Sequence, residues 1–148
     1  MRAQRFKLVL VVMVVGGALV SLSASTAAVT TPRATLATFA GEWGGHTRSL
    51  TIKRDGVAVE SIGDGCCDPI VDLTLQLSKP IGTTREATVL ATVTSVSLHD
   101  RTAFTKADPA PRVGDSGRLR LKNGVITETL TGTIYCTTKP GYTWTCGA

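Results

Sequence analysis

Residues 71–77 have the sequence VDLTLQL, in which apolar and polar side chains alternate at every position. A period of two is typical of a β-strand with one buried face and one solvated face. Further along, residues 118–122 alternate basic side chains with leucines and lead into Asn123-Gly124, a dipeptide strongly favoured in two-residue hairpin turns. These two stretches predict antiparallel strands joined by tight turns.

The same period of two recurs along most of the chain, and turn-forming residues separate the segments. The other predicted strands are residues 50–52, 57–60, 86–98, 125–130, 132–136 and 142–146. Asp55-Gly56 is expected to join the first two of these as a hairpin. Residues 79–82 and 107–117 contain Pro and Gly and are predicted to interrupt the strands.

Seven to eight short strands, with no helical stretch among them, predict an all-β fold. Consecutive hairpins favour an antiparallel meander, whose exposed sheet edges must be protected. We expect a small closed barrel, and a two-sheet β-sandwich is the alternative.

The N-terminus has the three zones of an export signal. Arg2, Arg5 and Lys7 form a basic start, residues 8–22 are apolar apart from one serine, and small residues follow. The apolar run is shorter than the roughly 20 residues that span a bilayer. We therefore expect residues 1–27 to be a cleaved signal helix, with an uncleaved anchor helix as the alternative. The mature protein is then secreted or held in the cell envelope, without a transmembrane segment.

Removal of the signal leaves a chain of the size of one ordinary domain. Residues 28–38 are predicted to be a flexible leader, and residues 39–148 a single disulfide-stapled β domain. Three of the 16 Lys and Arg residues leave with the signal, whereas all 11 Asp and Glu residues remain, so the net charge falls from +5 to +2. This small charge, without a nucleic-acid-binding motif, argues against a nucleic-acid partner.

All four cysteines, Cys66, Cys67, Cys136 and Cys146, lie in the mature part of the chain. An even number of cysteines in an exported chain predicts two disulfides. A bond between the adjacent Cys66 and Cys67 would be strained. We favour bonds from these two to Cys136 and Cys146, and a local Cys136–Cys146 bond is the alternative. The spacing does not match a four-thiolate metal site, so we expect neither a metal nor another cofactor.

Residues around the first hairpin form a candidate binding site. A Gly-x-Trp step ends at Trp43 just before the first strand, and His46 and Arg48 follow closely. This step resembles the start of the calycins, the lipocalin and avidin barrels, in which the Trp closes one end. The resemblance implies that a basic side chain from a late strand, here Arg118 or Arg120, covers the Trp face. The alternative is a core Trp in an unrelated β fold.

Arg118 and Arg120 also share one face of their strand with Lys122. Such a basic face could contact anionic envelope polymers or lipid head groups. The alternative is an ordinary solvated outer face.

Residues 114–117, Gly-Asp-Ser-Gly, match the segment around the nucleophilic serine of chymotrypsin-like proteases. Arg118 stands where that pattern has a second glycine, and neither His46 nor His99 lies in a segment like that family's histidine segment. A turn before a strand accounts for these four residues without a catalytic role. A catalytic Ser116 is therefore the least favoured hypothesis, and we expect no enzymatic activity.

An ordered set of motifs spans nearly all of the mature chain. Its members are Phe39-x-Gly41-x-Trp43, Gly45-His46-x-Arg48, Asp55-Gly56, Gly65-Cys66-Cys67, Gly114-Asp115-x-Gly117, Tyr135-Cys136 and Cys146-Gly147-Ala148. With this set the chain resembles a group of small exported actinobacterial proteins of mycobacterial and streptomycete type. The resemblance implies secretion and a disulfide-bonded β domain, and it implies no catalytic residue.

Three functions from different classes remain open. The favoured one is a non-enzymatic binding protein for a lipid or small apolar molecule inside the barrel. The alternative is a secreted interaction module or inhibitor that contacts a protein through loop 106–116 or tail 139–144. The third is a small hydrolase that uses Ser116.

Overall fold

The computed structural model of the chain describes residues 30–65, 68–137 and 146. Eight antiparallel strands follow one another in chain order and close into a barrel. They are β1 Gly41–Gly45, β2 Arg48–Ile52, β3 Val57–Gly63, β4 Pro69–Gly82, β5 Glu86–Leu98, β6 Ser116–Lys122, β7 Val125–Glu128 and β8 Ile134–Thr137. The predicted all-β meander barrel is thus confirmed, in preference to the sandwich. The predicted signal, residues 1–27, lies outside the described residues.

The two ends of the barrel differ, and we name them by what covers them. The tryptophan end carries the β2–β3, β4–β5 and β6–β7 turns, together with Trp43 and a short 3₁₀ helix at Leu36–Thr38. The loop end carries the β1–β2, β3–β4 and β7–β8 connections and the long β5–β6 loop, residues 99–115.

Aromatic side chains fill the tryptophan end. Trp43 and Phe39 are both buried, and the indole N–H of Trp43 donates a hydrogen bond of 3.0 Å to the Phe39 carbonyl. Part of the predicted leader is held against this end, because Arg33 forms a β-bridge with Thr83 and the Ala34 amide donates to the Gly82 carbonyl. Residues 33–39 therefore help to close this end of the barrel.

The interior of the barrel is filled by inward-facing side chains that pair across neighbouring strands, such as Leu77 with Ala91. β4 points one valine and three leucines inward, and β5 points two alanines and two valines inward beside them. These residues are Val71, Leu73, Leu75 and Leu77 on β4 and Ala87, Val89, Ala91 and Val93 on β5. Burial of each leucine side chain stabilises the fold by about 1.5–3 kcal/mol before conformational entropy is counted.

Residues 79–82 do not interrupt the sheet, and that prediction is wrong. β4 continues to Gly82, and its pairing with β5 shifts register between Ser78 and Ile81. Lys79 adopts a φ of 54° at this point, and Pro80 has no N–H to donate. A β-bulge absorbs both residues, so the ladder is disturbed only locally.

Cys136 forms a disulfide with Cys146, with their Cα atoms 5.6 Å apart. This is the local alternative, and the favoured pairing with Cys66 and Cys67 is wrong. Cys136 lies next to the β6–β7 turn at the tryptophan end, whereas the β3–β4 connection that carries Cys66 and Cys67 begins and ends at the loop end. Closing a loop of ten residues also loses less chain entropy than closing one of about 70. Cys66 and Cys67 themselves lie outside the described residues.

Candidate binding site at the loop end

The loop end of the barrel interior is polar, in contrast to the apolar remainder. Six inward-facing side chains lie together there, and we call them the polar cluster. The polar cluster consists of Arg48, Glu60, Glu128, Thr131, Thr133 and Tyr135. Only Arg48 was among the residues predicted to form a site.

The inward position of the two glutamates follows from strand alternation. On β3, Ala58, Glu60 and Ile62 occupy the buried phase, and on β7 Glu128 follows Ile126 in the same way. In the sequence, an acidic residue that continues the alternation of buried side chains was thus the pattern that could have predicted an inward-facing glutamate. It was missed because Val57 and Val59 suggest the opposite phase of β3, yet Val59 is 45% exposed.

The Glu128 carboxylate organises the β7–β8 connection. It accepts hydrogen bonds from the amides of Leu130 and Thr131, the latter at 2.7 Å, and from the Thr131 hydroxyl at 2.6 Å. Backbone amides and a hydroxyl directed at one carboxylate fix the conformation of the turn. The positions of Leu130 and Thr131 therefore depend on Glu128.

Glu60 is fully buried but only half satisfied. Its Oε1 atom accepts a hydrogen bond from the Tyr135 hydroxyl and lies 3.2 Å from the Thr131 hydroxyl, whose one proton it shares with Glu128. Its Oε2 atom is buried and has no hydrogen-bond partner among the described residues. Burial raises the pKa of Glu60, and the negative charge of Glu128 raises it further, against the opposing effects of Tyr135, Thr131 and Arg48.

Tyr135 completes the cluster as a neutral donor. Burial, followed by the neighbouring Glu60 charge, raises the pKa of Tyr135 well above its usual range. The phenol thus stays protonated at any physiological pH and donates a hydrogen bond to Glu60.

Arg48 links the polar cluster to the surface. As the first residue of β2 it lies in the inward phase with Leu50 and Ile52, and it is half-buried. Its guanidinium donates to the Thr133 hydroxyl. Among the residues that the structure describes, His99 Nε2 lies 2.8 Å from Asp72 Oδ2, and Glu86 pairs with Arg120 and Lys122. None of these pairs includes Arg48.

A cleft of about 180 Å³ lies above the polar cluster, between the barrel end and the β5–β6 loop. Its apolar walls come from both sides, and the main residues are Ile62, Ile70, Phe104, Pro111 and Leu130. Arg48 and Thr131 contribute polar groups, and Asp108 lies at the exposed rim. A cleft that combines apolar walls with convergent polar groups can bury and orient a small molecule.

The other predicted binding residues lie elsewhere. Trp43 closes the opposite end, and His46 is exposed in the β1–β2 turn. Arg118 and Arg120 point outward because Leu119 fills the inward phase of β6, so the expectation that they cover the Trp43 ring is wrong. Arg120 instead pairs with Glu86 on the outer face, at 2.9 Å.

Ser116 has hydroxyl and carbonyl neighbours in the described chain. Its hydroxyl lies 3.1 Å from the Thr92 hydroxyl and 3.4 Å from the Gly114 carbonyl. Of the two histidines, His99 contacts Asp72 with its Nε2 atom at 2.8 Å, and His46 lies in the β1–β2 turn. The geometry thus gives Ser116 no histidine to take its proton among these residues.

The Gly114-Asp115-Ser116-Gly117 segment has a packing explanation. A Cβ atom on Gly117 would lie 2.8 Å from the Leu130 amide nitrogen and 3.1 Å from Glu128 Oε1. Only glycine leaves room there for the turn that Glu128 organises. The Asp115 carboxylate accepts a hydrogen bond from the Arg112 amide at 2.8 Å and so closes the end of the loop.

Residues 30–65, 68–137 and 146 contain no group of three or more His, Cys, Asp or Glu side chains that could hold a metal ion. They also contain no helix long and apolar enough to cross a bilayer.

Comparison of the chain with protein-family models, curated proteins and solved structures gave no match.

Proposed function

We propose that this protein is a non-enzymatic binding protein, secreted or held in the cell envelope, whose ligand occupies the cleft at the loop end. The observation that carries the proposal is the cleft itself. Apolar walls from Ile62, Ile70, Phe104 and Leu130 converge there on polar groups of the cluster. Such a combination supplies both buried apolar area and orientation.

The size of the cleft supports a small ligand. An engineered apolar cavity of roughly 150 Å³ is large enough to bind benzene, and this cleft is about 180 Å³. Below it, large side chains such as Phe39, Leu50 and Leu75 fill the barrel. A single ring with one small substituent therefore fits better than an acyl chain.

The disulfide supports the proposed compartment. Disulfides persist outside the reducing cytosol, in secreted and periplasmic proteins and in envelope proteins. The Cys136–Cys146 bond agrees with export by the predicted signal, residues 1–27.

Titration with benzyl alcohol, followed by ¹H–¹⁵N correlation spectra, tests the proposed site with a neutral probe. We expect saturable shifts of the amides of Ile62, Ile70, Phe104 and Leu130, with the amides around Trp43 unchanged. Phe104→Ala should weaken binding severalfold because it removes one wall of the cleft. Ile81→Ala, an exposed outer-face change, is the matched control. Shifts scattered over the surface, or none at all, would refute the proposed site.

A second candidate function is a protein-interaction module that uses the β5–β6 loop. The specific observation is Val113, which is 66% exposed in this loop although it is apolar. Pull-down from the culture filtrate with wild type and Val113→Asp tests this candidate. Recovery of one partner by the wild type but not by the variant would support it, and equal recovery would count against it.

A further inference from the structure

We infer that the ligand of the loop-end cleft is a small organic anion, namely a monocarboxylate on an apolar body of about one ring, which Arg48 binds. This inference rests on the proposed function, because it specifies the chemistry of the same site.

The first observation is the incomplete hydrogen bonding of Arg48. A guanidinium has five N–H donors in a planar fork, and in the described chain Arg48 uses Nη1 to bond Thr133. The side chain is half-buried, and no carboxylate among these residues forms a close ion pair with it, although the buried Glu60 lies near enough to attract it. A partly desolvated guanidinium with unused donors is unfavourable, and a carboxylate that binds in the bidentate mode would supply two acceptors and a directly contacting counter-ion.

The second observation is the position of Arg48 relative to the apolar walls. The residue lies at the boundary between the polar cluster and the cleft, since it also pairs with Ile62 across β2 and β3. A ligand whose carboxylate meets the guanidinium can therefore place its ring against Phe104, Ile70 and Leu130. The volume left by these walls limits the body to about one ring.

The acidic groups near the cleft do not favour a cation instead. Glu128 uses both carboxylate oxygens to hold the β7–β8 connection. Glu60 lies beneath Thr131 and is covered by the Tyr135 hydroxyl, so it does not line the cleft. Asp108 is exposed at the rim, where water screens its charge. Arg48 is thus the charge that the inner cleft presents.

Three isosteric probes test the inference: benzoate, benzamide and benzamidine carry charges of −1, 0 and +1 on the same ring. Dissociation constants are measured by NMR titration of the full-length mature protein at pH 7 and low salt. We expect benzoate to bind at least tenfold more tightly than benzamide, and benzamidine to bind most weakly. Equal binding of benzoate and benzamide, or tighter binding of benzamidine, would overturn the inference.

Variants of Arg48 test whether this residue causes the preference for benzoate over benzamide. Arg48→Gln should reduce benzoate affinity to the level of benzamide and leave benzamide affinity unchanged. Arg48→Lys, which keeps the charge but loses the fork, should give an intermediate value. Arg54→Gln, in the β2–β3 turn at the other end, is the matched control. If Arg48→Gln keeps a folded spectrum and full benzoate affinity, Arg48 is not the anion-binding group.

Glu60→Gln provides an independent readout. The Glu60 charge attracts Arg48 and so competes with a ligand anion. Removing this charge should raise benzoate affinity severalfold without changing benzamide affinity, and unchanged or lower benzoate affinity would contradict the inference.

The outcomes separate the two levels of the proposal. If benzamide binds in the cleft but benzoate binds no better, the proposed function stands and the anion inference fails. If none of the three probes perturbs the cleft, both fail.

Discussion

The Tyr135 hydroxyl donates a hydrogen bond to the Oε1 atom of Glu60, and the two residues lie 75 positions apart in the chain. The bond joins β8 to β3 across the interior of the closed barrel. It makes the loop end of the core polar and leaves the second carboxyl oxygen of Glu60 without a partner among the described residues. A buried polar group in this state is costly unless it is neutral or is met by another group.

Glu60→Gln should stabilise the protein at pH values above the raised folded-state pKa of Glu60. The folded-state pKa of Glu60 is raised, so its stabilising contribution is fully present below its usual pKa and is lost as pH rises through the folded value. Glutamine cannot ionise and keeps an oxygen that accepts from Tyr135 and Thr131. Urea unfolding at pH 4.5 and pH 8 should show a gain on the order of 1 kcal/mol at pH 8 only. A variant less stable than wild type at pH 8 would show that the ionised carboxylate is favourable.

Glu128→Gln should loosen the β7–β8 connection. The carboxylate accepts from two amides and one hydroxyl, and an amide can accept at only one of its two terminal atoms. We expect a loss of about 1–3 kcal/mol of unfolding free energy and weaker benzyl alcohol binding, because Leu130 and Thr131 line the cleft. Faster amide hydrogen exchange confined to residues 129–133 would locate the effect. Exchange that stays at the wild-type rate would show that the carboxylate does not hold this segment.

Gly117→Ala should destabilise the fold although the substitution adds one methyl group. The new Cβ would lie 2.8 Å from the Leu130 nitrogen, a backbone atom that cannot move without the turn. We expect about 1–3 kcal/mol of destabilisation by thermal or urea unfolding. Gly44→Ala, where a Cβ meets no atom within 4 Å, is the matched control. Equal stability of the two variants would mean that the Gly117 backbone does not lie in close contact with the Leu130 backbone.

The connectivity of the disulfide can be tested directly by peptide mapping. Non-reducing peptide mapping of the secreted protein should recover Cys136 linked to Cys146. Replacing both with serine should lower the unfolding free energy by about 2–3 kcal/mol, the chain-entropy value for a loop of ten residues. Recovery of Cys136 linked to Cys66 or Cys67 would contradict the connectivity.

Local patterns in the sequence were sufficient to predict most of the fold. The alternation of Leu50 and Ile52, the Asp55-Gly56 turn and the Asn123-Gly124 turn each specify a hairpin, and β2, β3, β6 and β7 form there. The bulge at Lys79 was missed because proline normally ends a strand, whereas a register shift can accommodate it.

The polar cluster could not be predicted in the same way. The phase of β3 is ambiguous in the sequence, and it is decided by pairing: Glu60 lies opposite Leu50 on β2 and Leu73 on β4, which both face inward. Arg48 and Thr133 meet although 85 positions separate them. Such contacts arise only when β1 and β8 close the barrel, and local periodicity contains no information about that closure.

A crystal structure of the mature protein with benzoate tests the central claim most directly. The prediction is that the ring lies between Phe104, Ile70 and Leu130, with the carboxylate within hydrogen-bond distance of the Arg48 guanidinium. Benzoate bound elsewhere, for example on the outer face beside Arg118, with the loop-end cleft empty at saturating ligand, would contradict it.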